Sequence, residues 1–308
     1  MSYILNILKK ILRGYKAFME SKMDWVERRI KNTRIFEDTQ EQYERDSVLQ
    51  KAIETSIRKQ KLLLENVSVE VPMVYIPRKT RVTVSGKRTL EAAMPYAKQG
   101  KRVCVLNFAS ATSPGGGVLS GSGAQEESIC RCSTLYPCLS VEEMKIAFYE
   151  PHRKSGNSLY NDDCIYTPDV CVFKGDTDFP ANIPSEEWWK VNVLTCAAPK
   201  LKGRFSEADN HSADDPANTI SDEELEALLT TRIRRIFKIA IAEDNEVFIL
   251  GAFGCGAFKN SPIMMARVFR KVMQEYLDRF DVIEYAVFHV GEETANFTAF
   301  SEEMSDVD

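Results

Sequence analysis

The sequence is short of several things, and each shortage closes a class of function. It has three histidines, His152, His211 and His289, far apart and without partner patterns, so no His-based metal site or nucleophile–His–acid arrangement is written in their spacing. No apolar run reaches the ~18–20 residues of a membrane span. Positive charge is not in excess: 45 acidic against 40 basic residues leave a net charge of −5. That excludes the broad basic footprint of a general nucleic-acid binder, but not an anion held by backbone N–H groups in a local pocket. The eight cysteines contain no Cys-x2-Cys pair. Their one close group, Cys130, Cys132 and Cys138, lacks zinc-module spacing and has no His nearby, so no metal is expected. There is no P-loop and no dinucleotide-binding fingerprint, because Gly251, Gly254 and Gly256 have the wrong spacing.

What is present is an ordinary soluble composition, with 44% apolar and 28% charged residues over 308 positions. That length suits one large α/β domain with an extension, or two small domains. Several cysteines sit in apolar runs, as in Val103-Cys104-Val105, the pattern of buried reduced thiols. A cytoplasmic protein is expected, or a nuclear one if the source is eukaryotic. Residues 1–23 are apolar but interrupted by Lys9, Lys10, Arg13 and Lys16, which suits an amphipathic helix folded onto its own domain rather than a secretory leader.

Residues 1–65 lack proline and place apolar positions at helical spacing, with Leu49, Ile53, Ile57 and Leu62 on roughly one face. They read as an N-terminal helical extension, and residues 66–308 as the main domain. In that domain strands are expected at 71–76, 103–106, 170–173, 191–194, 247–250 and 282–290. Helices are expected at 89–98, 141–149, 221–242 and 262–279. The alternation argues for an α/β domain around a largely buried sheet. Residues 203–220 are polar and read as a long surface loop. Trp188 and Trp189 read as packing against the sheet.

Two glycine-rich loops each follow an expected strand. The first runs from Asn107 through Ser110 to Gly115-Gly116-Gly117. Three consecutive glycines permit positive φ and let N–H groups converge on an anion. Seven residues later Gln125-Glu126-Glu127 opens an expected helix, whose positive end would lie beside the same anion. The second loop reads Gly251-Ala252-Phe253-Gly254-Cys255-Gly256-Ala257-Phe258, followed by Ser261 as N-cap and Pro262 at the first helical position. Two such loops suit the two ends of a diphosphate, and Phe258 offers an apolar plane to a sugar or base. Either loop alone is more often a plain turn, and adjacent glutamates are more often a solvated helix start.

The combination of Gly-Gly-Gly, a short spacer and Gln-Glu-Glu resembles the catalytic loop of the poly(ADP-ribose) glycohydrolases. The flanking Asn107-Phe108-Ala109-Ser110, Cys130 to Tyr136, Ile165 to Val170 and Gly254 to Phe258 resemble the compact bacterial type. The resemblance implies a macrodomain-like three-layer α/β/α fold, a mixed central sheet between helices with the N-terminal helical extension added. It begins after Met23, so residues 1–22 are expected to be dispensable. It implies an enzyme that cleaves ribose–ribose O-glycosidic bonds in poly(ADP-ribose) and releases ADP-ribose, with no cofactor. Glu127 matches the catalytic acid/base and Glu126 the neighbour that hydrogen-bonds a ribose hydroxyl. Gly115, Gly116, Gly117, Gly254, Cys255, Gly256 and Ala257 match the diphosphate loops, and Phe258 the aromatic residue near the terminal ribose. Asn107, Ser110 and Gln125 complete the substrate-binding set. Ser110 stands where better-known members often carry an Asn that orients the terminal ribose. That contact is then lost, water-mediated or taken over by Asn107. A non-catalytic ADP-ribose reader, and a hydrolase of mono-ADP-ribosylated protein or nucleic acid, share the same diphosphate loops. The intact glutamate pair favours the glycohydrolase.

Overall fold

The computed structural model describes residues 2–201 and 214–307, with side chains from residue 24 onward. The side chains of the amphipathic segment 1–23, most of the polar loop expected at 203–220, and His211 lie outside the described residues.

Among the described residues, seven strands form one mixed sheet: β1 (Lys61–Leu63), β2 (Arg81–Ser85), β3 (Val103–Phe108), β4 (Cys164–Val172), β5 (Trp189–Cys196), β6 (Val247–Leu250) and β7 (Val282–Ala286). Their order across the sheet is β1-β4-β5-β3-β6-β7-β2. From β5 to β2 the strands run parallel, and β4 and β1 are added antiparallel at one edge. Alternation along β3 sends side chains to both faces. Cys104 and Leu106 join the core under the helices Asp222–Ala242, Pro262–Met273 and Ala295–Glu303. Val103 and Val105 join the core that holds Leu90 of α3 (Thr89–Lys98) and Ile129. Helices on both faces make this the macrodomain-like α/β architecture that the resemblance implies.

Two N-terminal helices, α1 (Ser2–Arg45) and α2 (Ser47–Lys59), precede β1. Asp46 caps α2 by accepting from the Val48 and Leu49 amides. Phe36 of α1 is buried in the second core, and Leu49 of α2 packs with Cys171 and Phe173. Ser221 closes a capping box with Glu224, which fixes the start of the helix Asp222–Ala242. Trp189 lies in β5, and the Trp188 indole donates to the Ile183 carbonyl.

One expected strand is absent. Residues 71–76 are irregular, with Met73, Val74 and Ile76 almost fully exposed. Pro72 and Pro77 lack the N–H that a ladder needs, and the edge beside β7 is taken by β2. The segments expected at 282–290 and 262–279 are shorter, ending as strand at Ala286 and as α-helix at Met273.

Candidate active site

The loops after β3, β5, β6, β7 and β2 open at the carboxyl ends of the parallel strands, where α/β sheets place their ligands. Between them lies a cleft of about 350 Å³. On its floor is the N-terminus of α4 (Gln125–Cys132).

Gln125 locks α4 to the sheet. Its Oε1 accepts from the Phe108 amide at 2.8 Å, and its Nε2 donates to the Leu106 carbonyl at 2.7 Å and to Thr89 Oγ1 at 3.0 Å. This fixes the helix start, and with it the two glutamates that follow. Glu126 is 3% exposed, and both its oxygens are engaged. Oε2 accepts from the Ser110 amide at 2.7 Å and Oε1 from Asn107 Nδ2 at 3.2 Å. Burial, with the charge of Glu127 adding to it, pushes the Glu126 carboxyl up to about 8, against the pull of those hydrogen bonds.

Glu127 is 6% exposed and differently placed. Its Oε1 accepts from the Gly117 amide at 2.8 Å. Its Oε2 is buried and has no hydrogen-bond partner. A buried carboxylate oxygen without a donor is costly unless a ligand supplies one. Gly116 makes the close approach possible. It has φ +59°, and a Cβ there would stand 2.6 Å from Glu127 Oε1 and 3.0 Å from Glu126 Oε2. The glycine therefore admits the carboxylates.

The second glycine loop forms the facing wall. Gly254 has φ +71°, and a Cβ there would run into Ala198 and Asn260. Asn260 Nδ2 ties the loop down through the carbonyls of Pro199 and Gly254, at 2.8 and 3.1 Å. Among the described residues, the amides of Gly254, Gly256, Ala257 and Phe258 donate to no protein acceptor. They form a ready nest for an anion. Phe258 lines the cleft, 6.2 Å from the Tyr160 ring.

Of the residues singled out in the sequence, Ser110, Gly116, Gln125, Glu126, Glu127, Gly254, Gly256, Ala257 and Phe258 line this one cleft. Asn107, Gly115, Gly117 and Cys255 stand behind that lining. Asn107 is fully buried, bonded also to Thr195 Oγ1 at 3.2 Å, with its own Oδ1 unpartnered. The Ser110 hydroxyl accepts from the Thr112 and Ser113 amides of its own loop at 3.3 and 3.2 Å. His152 is buried and does not line the cleft, its ring nitrogens against the Phe148 carbonyl and Asn161 Oδ1. His289 packs on Phe297.

Sequence reading missed Lys87, Arg88, Asp176 and Phe288, which also line the cleft. Arg88 lies over the Phe288 ring at 3.8 Å and pairs with Asp178. The carboxyl of Asp176 is raised by burial and accepts from Ser128 Oγ and the Leu90 amide. Lys87 and Arg88 follow β2, a short strand whose alternation was too weak to place. Only that placement reveals them.

Residues 21–175 match the family model described as the microbial-type PARG catalytic domain. A solved poly(ADP-ribose) glycohydrolase from Thermomonospora curvata is similar at 28% identity and TM-score 0.77, over 89% of this chain and 100% of its own. The enzyme from that organism bound to the inhibitor ADP-HPD is similar at 28% identity and TM-score 0.72, over 89% and 99% of the two chains. The poly(ADP-ribose) glycohydrolase of Deinococcus radiodurans, solved with ADP-ribose, is similar at 25% identity and TM-score 0.69, over 83% and 97%. No curated protein matches the chain in sequence.

Proposed function

The chain belongs to the microbial-type poly(ADP-ribose) glycohydrolases, and from that premise we infer that it hydrolyses ribose–ribose bonds in poly(ADP-ribose) with Glu127 as the single acid and base. The observation that carries the assignment is the asymmetry of the pair. Both Glu126 oxygens are held by protein donors, whereas Glu127 Oε2 is buried at the cleft floor without one.

The leaving sugar oxygen needs a proton as the anomeric carbon becomes oxocarbenium-like. Protonated Glu127 delivers it from Oε2, while the Gly117 N–H steadies Oε1. After the bond breaks, the carboxylate accepts a proton from the attacking water. Glu126 holds the Ser110 amide and Asn107, and so fixes the end of β3 against the glycine loop. The amides of Gly254 and Gly256 to Phe258, unengaged among the described residues, suit a diphosphate. The ADP-ribose bound by the similar Deinococcus enzyme carries such a group. Eight free cysteines, seven of them buried, support a reducing compartment such as the cytoplasm.

The test is release of ADP-ribose from purified poly(ADP-ribose), with Glu127→Gln beside the wild type. Glu127→Gln is expected to keep ADP-ribose affinity and lose nearly all turnover. Turnover within a few-fold of wild type removes Glu127 from this role. Binding of ADP-ribose with no release by the wild type makes the protein a reader, or a hydrolase of another linkage.

A further inference from the structure

α1 packs against the 118–120 turn and against α4, the helix that carries Glu127. Arg29 Nε donates to the Ser120 carbonyl at 2.7 Å, and Asn32 Nδ2 to the Gly121 carbonyl at 3.0 Å. Ser120 and Gly121 lie only three and four residues beyond Gly117, whose amide holds Glu127. Gly123 lines the cleft, and a Cβ there would be 3.5 Å from Asn32 Nδ2. One turn before Arg29, on the same helix face, is Trp25, 57% exposed, with the Arg29 guanidinium 4.8 Å from its ring centroid. Leu119 on the adjoining loop is 61% exposed, and Arg28 is exposed on α1.

We propose that Trp25 and Arg29 form the seat for the leaving nucleotide, the adenosine diphosphate portion of the unit whose ribose oxygen Glu127 protonates. The inference rests on the glycohydrolase reading. Cleavage leaves ADP-ribose in the cleft and a second product whose new hydroxyl lies at Glu127. The base and phosphates on that hydroxyl's ribose must lie just outside the cleft, beside the 118–123 loop. The α1 face there presents what such a group binds. An indole plane backed by a guanidinium stacks a purine, and Arg28 and Arg29 meet its phosphates. Arg29 is already fixed by Ser120, so little side-chain freedom is lost on binding.

The experiment uses the full chain carrying Glu127→Gln and measures affinity for ADP-ribose and for a purified two-unit oligomer of poly(ADP-ribose). The oligomer is expected to bind about tenfold more tightly, the size of one base–aromatic stack. Adding Trp25→Ala is expected to erase that difference and leave ADP-ribose affinity unchanged. Trp25→Phe, which keeps a ring, is expected to retain most of it. Equal affinities for the two ligands, a difference that survives Trp25→Ala, or a parallel loss for both ligands each overturns the proposal. Wild-type turnover measured alongside separates the two readings. A protein that releases no ADP-ribose but shows the Trp25-dependent difference keeps the seat and loses the glycohydrolase assignment.

Discussion

Replacing Gly116 by alanine tests how finely Glu127 is placed. The added Cβ would lie 2.6 Å from Glu127 Oε1, 3.0 Å from Glu126 Oε2 and 3.3 Å from Glu127 Cδ. An ordinary contact needs about 3.5 Å, so Oε1 must retreat by roughly 0.9 Å. That motion breaks its 2.8 Å hydrogen bond from the Gly117 amide. The backbone cannot relieve the clash, because the φ of +59° already costs an alanine about 1–2 kcal/mol. A misplacement on the order of 1 Å at a reacting group costs about 100-fold in rate. Gly116→Ala is therefore expected to lower kcat about 100-fold while Tm falls by only a few degrees. ADP-ribose affinity should stay within several-fold, since the unengaged amides of the facing loop are untouched. The assay is ADP-ribose release from purified poly(ADP-ribose), with calorimetric affinity and thermal unfolding on the same preparations. Turnover within a few-fold of wild type would refute the claim that this glycine sets the position of Glu127.

Two further outcomes follow from the same geometry. The Glu126 carboxyl is raised from 4.5 to about 8, so the folded protein binds a proton that the unfolded chain has released. The stability this contributes is complete below about pH 4.5 and is lost as pH rises through about 8. Urea unfolding at pH 5, 7 and 9 should show that decline, Glu126→Gln should lack it, and parallel curves would contradict the assignment. Gln125→Ala leaves the Phe108 amide and the Leu106 carbonyl without their partner, which should cost about 2–4 kcal/mol with an unchanged m-value. A loss below about 0.5 kcal/mol would mean that the clamp is not what fixes α4.

Much of this was legible in the sequence wherever a local pattern determined the local structure. β6 reads as Val247–Leu250 because a continuous apolar run suits a strand buried on both faces. The helix Pro262–Met273 was marked by Ser261 and Pro262, and the Ser261 hydroxyl does accept from the Met264 amide. The glycine loops and the glutamate pair were legible because their chemistry depends on residue type and spacing. β1, β2 and the irregular 71–76 segment were not. An edge strand of three to five residues is defined by the neighbour it pairs with, and the apolar run at 71–76 finds none. Lys87, Arg88, Asp176 and Phe288 come from three separate loops, and only the strand order brings them together. The same holds for Arg29 and Asn32, whose partners lie about ninety residues away.

The distribution of carboxylates in the cleft also decides the stereochemistry. An inverting glycosidase needs a second carboxylate across the sugar ring, about 6.5–9.5 Å from the acid, to activate water from the far face. Among the described residues, three carboxyl groups line this cleft. Glu126 is held on both oxygens by Ser110 and Asn107, and Asp176 by Ser128 and the Leu90 amide. The facing loop, residues 251–258, contains no acid and presents Phe253 and Phe258 instead. Among the described residues, Glu127 is the cleft carboxyl with an oxygen left to activate water, from the side the leaving group has vacated, and the configuration at the anomeric carbon should be retained. Hydrolysis in a water–methanol mixture captures this outcome, because the methyl glycoside does not equilibrate between anomers as free ADP-ribose does. Its configuration, read by NMR, should equal that of the polymer linkage. An inverted methyl glycoside would require a base on the opposite face and would refute a mechanism built on Glu127 alone.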